Sequence, residues 1–269
     1  MKKILLFVLA LSVSLSLPAQ RLVILHTNDT HSHIDPSREG LGGVIERAAY
    51  IDSVRQADGK KNVLLLDAGD FSQGTSYFPK LHGDLEIDIL NAMKYDVVTL
   101  GNHEFDNGLD ELLRRVKRCK CPIVCANYEF EGHPLGKAIK PYAIVKKAGL
   151  KIGIIGLLTP EVKAVVNADI AKRLKLIDTE AVVNKYARIL KEDKKCDLVI
   201  CLTHIGHIGH GYTDPELAAA TTNVDIIVGG HSHTFLEDKE VVKNPEGKDV
   251  VIVTNGCWAL NMGHLLVEY

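Results

Sequence analysis

Short apolar, β-branched segments recur along the chain, and five of them end at side chains of the kinds that bind metals. Residues 22–25, 63–66, 97–100, 198–202 and 226–228 lead, in that order, into Asn28-Asp29-Thr30-His31, Gly69-Asp70, Gly101-Asn102-His103-Glu104, Thr203-His204 and Gly229-Gly230-His231-Ser232-His233. Each segment is predicted to be a buried strand. Ligands of open α/β sheets bind beyond the carboxyl ends of the strands, so these clusters are predicted to converge on one site.

Segments with helical periodicity lie between these strands. Gly42-Gly43 opens one that ends near Asp58-Gly59, and residues 85–93 and 109–116 form two more. Asp178 or Thr179 is placed to cap a helix that leads directly into the strand at residue 198. Strands joined by helices through short links favour parallel pairing with right-handed crossovers.

Other strands are not joined in this way. Residues 142–145 and 151–158 predict a hairpin with Gly149 in its turn, and residues 250–253 and 264–267 predict two strands joined by a loop that contains Asn255-Gly256. We therefore expect an α/β fold with two mixed sheets packed together and helices outside, in one domain over residues 21–269.

The first twenty residues differ in kind from the rest. Lys2 and Lys3 precede an apolar run that ends in Pro18-Ala19-Gln20, a pattern typical of a secretory signal and too short for a membrane span. We expect residues 1–20 to be a signal peptide and the protein to be exported, either periplasmic or secreted. No later segment is apolar over enough length to span a bilayer.

Charge and cysteine content limit the possible partners and cofactors. Without residues 1–20, the chain has 30 basic and 34 acidic residues, which gives no electrostatic bias toward duplex nucleic acid. The six cysteines match no zinc-ribbon spacing. An exported chain can pair them as disulfides, but small buried hydrophobic side chains are an equally good interpretation.

The polar clusters contain more ligand types than one tetrahedral metal ion needs. Asp29 and His31 are two residues apart and can reach one cation, whereas Asp70, with two carboxylate oxygens after a small residue, can bridge two cations. Asn102 offers a neutral oxygen, and further imidazoles come from His204, His231 and His233. The number of ligands predicts a two-metal site.

These motifs, in this order, resemble those of the calcineurin-like metallophosphoesterases. The segments 25–31, 101–106 and 229–234 look like the 5′-nucleotidase branch of that family, and the resemblance runs from about Arg21 to Tyr269. It implies a four-layer α-β-β-α sandwich in which two mixed sheets lie between helices. It also implies that the chain is a metal-dependent phosphoric ester hydrolase.

The resemblance assigns roles by motif position. Asp29, His31, Asp70 and His233 are expected to hold one divalent ion, and Asp70, Asn102, His204 and His231 the other. Zn, Mn and Fe all suit this mixed nitrogen and oxygen set. Two cations about 3.5–4 Å apart activate a bridging hydroxide and hold the phosphoryl oxygens. His103 is expected to be catalytic, acting on the phosphoryl group or the leaving oxygen, with Asp106 orienting it.

Other histidines near the motifs are given smaller roles. His26 and His33 are expected to be mainly second-layer or surface residues. Gly206, Gly209 and Gly211 place His207 and His210 on a loop, where a solvated residue or a contact to substrate phosphate is favoured over a metal ligand.

The substrate is the least determined part of the prediction. Family members of the 5′-nucleotidase branch carry a C-terminal domain that binds the nucleobase, and the sequence ends about where the metal domain is expected to end. We therefore expect a hydrolase of nucleotides or related phosphomonoesters that lacks this domain, with low selectivity or with a separate protein supplying the domain. A phosphodiesterase acting, for example, on cyclic nucleotides and a non-catalytic metal-bound subunit of a two-chain nucleotidase are the alternatives.

Overall fold

A computed structural model describes residues 21–209 and 211–269 of the chain. The predicted signal peptide at residues 1–20 and His210 lie outside the described residues. Among those that are described, no helix combines the length and the apolar character that crossing a bilayer requires.

The strands follow the predicted apolar segments, with bounds shifted by a few residues. They are β1 (Arg21–Thr27), β2 (Val63–Asp67), β3 (Val97–Thr99), β4 (Ile123–Val124), β5 (Tyr128–Phe130), β6 (Tyr142–Lys147), β7 (Leu150–Leu158), β8 (Leu174–Leu176), β9 (Leu198–His204), β10 (Ile226–Val228), β11 (Glu240–Lys243), β12 (Asp249–Val253) and β13 (Gly263–Glu268).

Helices alternate with the strands over most of the described length. They are α1 (Val44–Asp58), α2 (Tyr77–Leu81), α3 (Asp84–Met93), α4 (Leu109–Arg118), α5 (Leu135–Ala138), α6 (Val162–Val165), α7 (Ala168–Ala171), α8 (Thr179–Arg188) and α9 (Asp214–Ala220), with 3₁₀ turns at Lys60–Asn62 and His103–Phe105 and a π-helical turn at Ile189–Asp193. Asp178 caps α8 as predicted, because its carboxylate accepts a hydrogen bond from the Ala181 amide at 2.7 Å.

Two mixed sheets form the centre of the described structure. The first has the order β13-β1-β2-β3-β4, in which β1 to β4 are parallel and β13 is antiparallel to β1. The second has the order β11-β12-β10-β9-β7-β6, with antiparallel strands at both edges. The β6–β7 hairpin turns at Ala148 and Gly149, which both have positive φ.

Burial divides the apolar side chains into three layers of contact. The two sheets pack on each other through one cluster of buried aliphatic side chains. It contains Leu22, Ile24, Leu64 and Leu66 of the first sheet and Ile152, Ile154, Ile200 and Leu202 of the second. The opposite face of the first sheet packs on α1, α3 and α4 through Ile51, Ile87 and Leu112, and that of the second packs on α8 and α9 through Val183 and Leu217. Three apolar interfaces between helix, sheet, sheet and helix layers confirm the predicted sandwich.

Some elements were not predicted. β5 and β8 pair in a small third sheet, and β11 extends one edge of the second sheet. The strands β12 and β13, predicted as neighbours along the chain, belong to different sheets, so the segment around Asn255-Gly256 crosses from one sheet to the other.

All six cysteines lie within the described residues and are free thiols there. Cys125, Cys196 and Cys201 are buried, as the interpretation as small hydrophobic side chains predicts.

Candidate metal centre

The loops that follow β1, β2, β3, β9 and β10 meet at one edge of the two packed sheets. Three groups of side chains there have ligand atoms within 4.8 Å of one another: Asp29, His31 and His233; His31, Asp70 and His103; and Asp70, His204 and His231. Asn102 lines the same cavity, whose volume is about 480 Å³. The predicted convergence of all seven candidate ligands on one place is thus observed.

Asp70 belongs to two of these groups and lies between them. Its Oδ2 atom is 3.0 Å from His204 Nε2 and 3.9 Å from His31 Nε2. Asp29 Oδ1 lies 3.5 Å from His233 Nε2 and 3.9 Å from His31 Nε2. The two carboxylates are therefore surrounded by imidazoles, with Asp70 in the position of a shared ligand.

The backbone of the site is strained. Asp29, His31, Asp70, His231 and His233 all have φ between 46° and 81°, a region that residues other than glycine seldom adopt. Each such residue costs of order 1–3 kcal/mol and persists where the surroundings or the function require it. Five of the seven candidate ligands share this conformation, so the fold holds the ligand side chains at a cost in stability.

Close backbone contact between two loops explains the glycines that precede Asp70 and Asn102. A β-carbon on Gly69 would lie 2.5 Å from the Gly101 nitrogen, and one on Gly101 would lie 2.1 Å from Asp70 Oδ1. The predicted reason for Gly69, close approach of the backbone beside Asp70, is consistent with this contact. Gly101 is needed for the same reason, since a side chain there would collide with Asp70.

Two buried carboxylates, Asp29 and Asp70, dominate the electrostatics of the cluster. Burial favours neutral His204, yet the nearby Asp70 and Asp29 raise its pKa to about 10. Burial lowers the pKa of His231 to about 4, and the proximity of His204 acts in the same direction. The carboxylates thus favour positive charge at the centre of the cluster, which divalent ions would supply.

Two observations indicate that the donor set fits divalent cations. The Nε2 atoms of His31 and His233 lie 2.9 Å apart, and both face Asp29 Oδ1, so that one cation can contact all three atoms. The Oδ1 atom of Asn102 is buried and has no hydrogen-bond partner among the described residues. A buried acceptor without a partner is costly and calls for an ion or water.

His103 and Asp106 lie at the mouth of the cluster. His103 Nδ1 is 2.9 Å from Asp106 Oδ2, and both side chains are about one-third exposed, at 33% and 31%. The hydrogen bond to Asp106 raises the pKa of His103 above its usual value, and the charge of Asp70 acts in the same direction. The pair is thus oriented as predicted, with the imidazole stabilised in its protonated form.

Glu104 is a site residue whose role the sequence did not reveal. It is fully buried, and its carboxylate accepts hydrogen bonds from the amides of Gly101, Asp70 and Ser72 at 2.6, 2.9 and 3.0 Å. Arg115, also buried, donates to the Glu104 carbonyl at 2.5 Å. Glu104 therefore joins the loops after β2 and β3, and its position in Gly101-Asn102-His103-Glu104 was the only available signal.

The other histidines are divided between the cavity and the rest of the fold. His33 lines the metal cavity, whereas buried His26 lies beside Gly263, outside this cavity. His207 lies on a loop as predicted, but the alternative of a solvated residue was wrong, because the residue is 8% exposed. Its Nε2 atom lies 3.0 Å from Oε2 of Glu240 in β11.

Comparison with known proteins identifies the family. The family model described as Calcineurin-like phosphoesterase matches residues 22–235, and the chain belongs to this family. A snake venom 5′-nucleotidase from Naja atra is 38% identical over 279 residues, which cover 92% of this chain and 50% of that protein. The 5′-nucleotidase of Homo sapiens is 32% identical over 281 residues, 93% of this chain and 47% of that protein.

Solved structures agree with the family. A 5′-nucleotidase precursor from Thermus thermophilus superposes with a TM-score of 0.84 at 36% identity, covering 92% of this chain and 51% of that one. An NAD nucleotidase from Haemophilus influenzae gives a TM-score of 0.81 at 31% identity, covering 93% and 48%. The chain spans about half the length of the curated relatives it matches. The predicted family, its 5′-nucleotidase branch and the fold class are thereby confirmed.

Proposed function

We propose that this protein is a two-metal phosphohydrolase that acts on nucleotides or related phosphomonoesters. The observation that carries the proposal is the convergence of three overlapping groups of ligand atoms, two of which share Asp70 and one of which includes His103. The relatives named above are nucleotidases, and their names support the nucleotide class of substrate.

The ligands of the proposed ions are assigned by motif position, and the convergence of the side chains supports the assignment. Asp29, His31, Asp70 and His233 would hold one ion, and Asp70, Asn102, His204 and His231 the other. The set of carboxylate, amide and imidazole donors suits Zn, Mn or Fe. When bound, two such ions supply Lewis acidity and lower the pKa of a coordinated water.

The protein's own groups then determine where charge and protons go. His103 projects into the cavity with its Nδ1 atom bonded to Asp106, so its other ring nitrogen is free to donate to a phosphoryl oxygen or to the leaving oxygen. Asp106 holds the ring in orientation, and its hydrogen bond raises the pKa of His103. The amide of His103 donates to Asp70 Oδ1 at 2.9 Å, which fixes the distance between the catalytic residue and the shared ligand.

Export is part of the proposal and is supported by the pattern of residues 1–20 and by venom proteins among the relatives. We propose a periplasmic or secreted location. Comparison of the protein found in the culture medium or periplasm with that in the cytosol, for the chain with and without residues 1–20, tests this point.

Hydrolysis of an aryl phosphate with added Mn tests the activity. His103→Ala is expected to lower kcat by about 10²- to 10⁴-fold while two metal ions remain bound, because the residue acts on the substrate and is not a ligand. His82→Asn, a change at an exposed left-handed position outside the metal cavity, serves as the control that keeps activity.

Product analysis separates the competing functions. Nucleoside monophosphates, cyclic nucleotides and sugar phosphates are compared, with and without a protein that carries a nucleotidase second domain. Turnover of phosphomonoesters supports the proposal, and exclusive turnover of cyclic nucleotides would replace it with a phosphodiesterase. If no ester is hydrolysed under any metal, the interpretation as a binding subunit prevails.

A further inference from the structure

Two aromatic rings form part of the wall of the metal cavity. Trp258 and His33 both line it, with ring centroids 5.7 Å apart and an interplanar angle of 27°, so that the rings are stacked. On another side, the Trp258 ring lies 6.3 Å from the ring of His233, edge to face. An aromatic surface therefore begins one side chain away from the candidate ligands.

The position of the Trp258 ring is fixed by the loop that carries the ligands. The Trp258 amide donates to the Asp29 carbonyl at 2.7 Å, and His33 Nδ1 is 2.9 Å from the His31 carbonyl. Trp258 and Ala259 have φ of 61° and 56°, and a β-carbon on Gly42 would lie 2.6 Å from the Ala259 carbonyl oxygen. A strained turn is thus held tightly against neighbouring backbone.

Packing accounts for the backbone of this turn but not for the exposure of the Trp258 ring. Trp258 remains 47% exposed, so much of its apolar surface gains nothing from burial. Strained backbone that presents an exposed aromatic side chain into a cavity is expected where a ligand covers that side chain.

We propose that Trp258, supported by His33, is a stacking platform for a flat aromatic leaving group of the substrate, either a nucleobase or an aryl ring. The inference rests on the proposed function, since it concerns the same cavity. Stacking depends on the face of a ring, which every base has, and does not depend on its hydrogen-bonding edge. The platform therefore favours aromatic over aliphatic phosphoesters and does not distinguish one base from another.

Kinetics of Trp258 variants test the platform. Trp258→Leu is expected to lower kcat/KM for adenosine 5′-monophosphate and for p-nitrophenyl phosphate by about 5- to 100-fold, mainly through KM, because stacking is lost. The same variant is expected to keep kcat/KM for glycerol 2-phosphate within about twofold of the wild-type value. Trp258→Phe is expected to restore most of the preference for aromatic esters. Leu and Phe both keep a β-carbon at φ 61°, so they match in backbone strain. Equal losses on aromatic and aliphatic esters would indicate a merely structural role and overturn the inference.

A binding measurement separates this inference from the proposed function. Trp258 is the chain's single tryptophan, so tryptophan fluorescence reports on this ring alone. Adenosine, which has no phosphate to bind metals, is expected to quench the emission saturably, whereas ribose is not. If wild-type protein hydrolyses no ester but adenosine still quenches, the proposed function fails and the platform stands. If esters are hydrolysed and adenosine leaves the emission unchanged, the platform fails and the proposed function stands.

Discussion

Glu104 illustrates how one buried side chain supports the metal loops. Its two carboxylate oxygens accept three amide hydrogen bonds from the loops after β2 and β3, so the positions of Asp70 and Asn102 depend on it. A carboxylate can accept at both oxygens, whereas a glutamine amide has one acceptor and one donor group.

Glu104→Gln is therefore expected to lower the free energy of unfolding by about 2–4 kcal/mol, because its NH₂ group would face backbone donors and leave them unsatisfied. Urea denaturation measures this loss. Glu129→Gln, which affects a half-exposed pair with Lys175, is the matched control and should cost less than about 1 kcal/mol. Equal effects of the two variants would show that Glu104 does not support the loops.

Asp67 is another single residue with a measurable effect, because its titration makes the stability of the protein depend on pH. It is buried, accepts a hydrogen bond from Thr27 Oγ1 at 2.6 Å, and burial raises its pKa from 3.8 to about 7. The folded protein therefore retains a proton that the unfolded chain releases, and metal-free protein is expected to lose stability, by up to about 4 kcal/mol, as pH rises from about 4 to 7.

Asp67→Asn should flatten this part of the pH profile, since asparagine does not titrate. Urea titrations at several pH values, in the presence of a chelator, measure the free energy of unfolding and thus the pH profile. Asp249→Asn, at an exposed edge position, should leave the profile unchanged. A wild-type profile that is already flat between pH 4 and 7 would contradict the expectation.

At the scale of the elements, the spacing between the two sheets depends on Gly156 in β7. A β-carbon there would lie 2.3 Å from the Val124 carbonyl oxygen of β4, in the other sheet. The contact is with backbone, so no side chain can rotate away to make room.

Gly156→Ala is expected to destabilise the protein by about 1–3 kcal/mol or more, because the two sheets must separate locally. Gly136→Ala is the matched control, since its β-carbon would meet nothing closer than 3.7 Å in a helix. Thermal denaturation of both variants should show a lower midpoint for Gly156→Ala alone. A similar midpoint for the two would mean that the sheets adjust freely.

The sequence predicted the strands and the convergence of the polar clusters well, for a physical reason. Buried parallel strands are continuous apolar runs, and the ligands follow directly where those runs end. The short strand β5 has an exposed Glu129 between its buried residues and carries too weak a pattern to predict. The roles of Glu104 and Trp258 arise from contacts with distant parts of the chain, which local spacing does not encode.

At the scale of the whole molecule, the candidate metal centre joins the two sheets. Asp29, Asp70 and Asn102 follow strands of the first sheet, whereas His204, His231 and His233 lie at the ends of strands of the second. Ions bound between them would connect the sheets, and binding to the folded state alone stabilises it.

Metal removal is therefore expected to lower the unfolding midpoint of the whole protein, by an amount that corresponds to about 2.7 kcal/mol for an ion present at 100 times its Kd. Differential scanning fluorimetry with and without chelator measures the shift. Asp70→Asn, at the shared ligand, should lose both ions in elemental analysis, whereas His233→Ala should lose one. An Asp70→Asn variant that retains a full ion would contradict the sharing.

The antiparallel pairing of β13 with β1 has a consequence for biosynthesis. Arg21 pairs with Glu268, so the two strands that are farthest apart in the described chain are neighbours in the sheet. While the ribosome is still adding residues, the outer edge of β1 has no partner, and the loop with Asp29 lacks the amide of Trp258 that later anchors it. The first sheet thus cannot close until residues 263–268 have been made. Pairing between strands so distant in sequence is expected to slow folding, because a long loop must close before the contacts form.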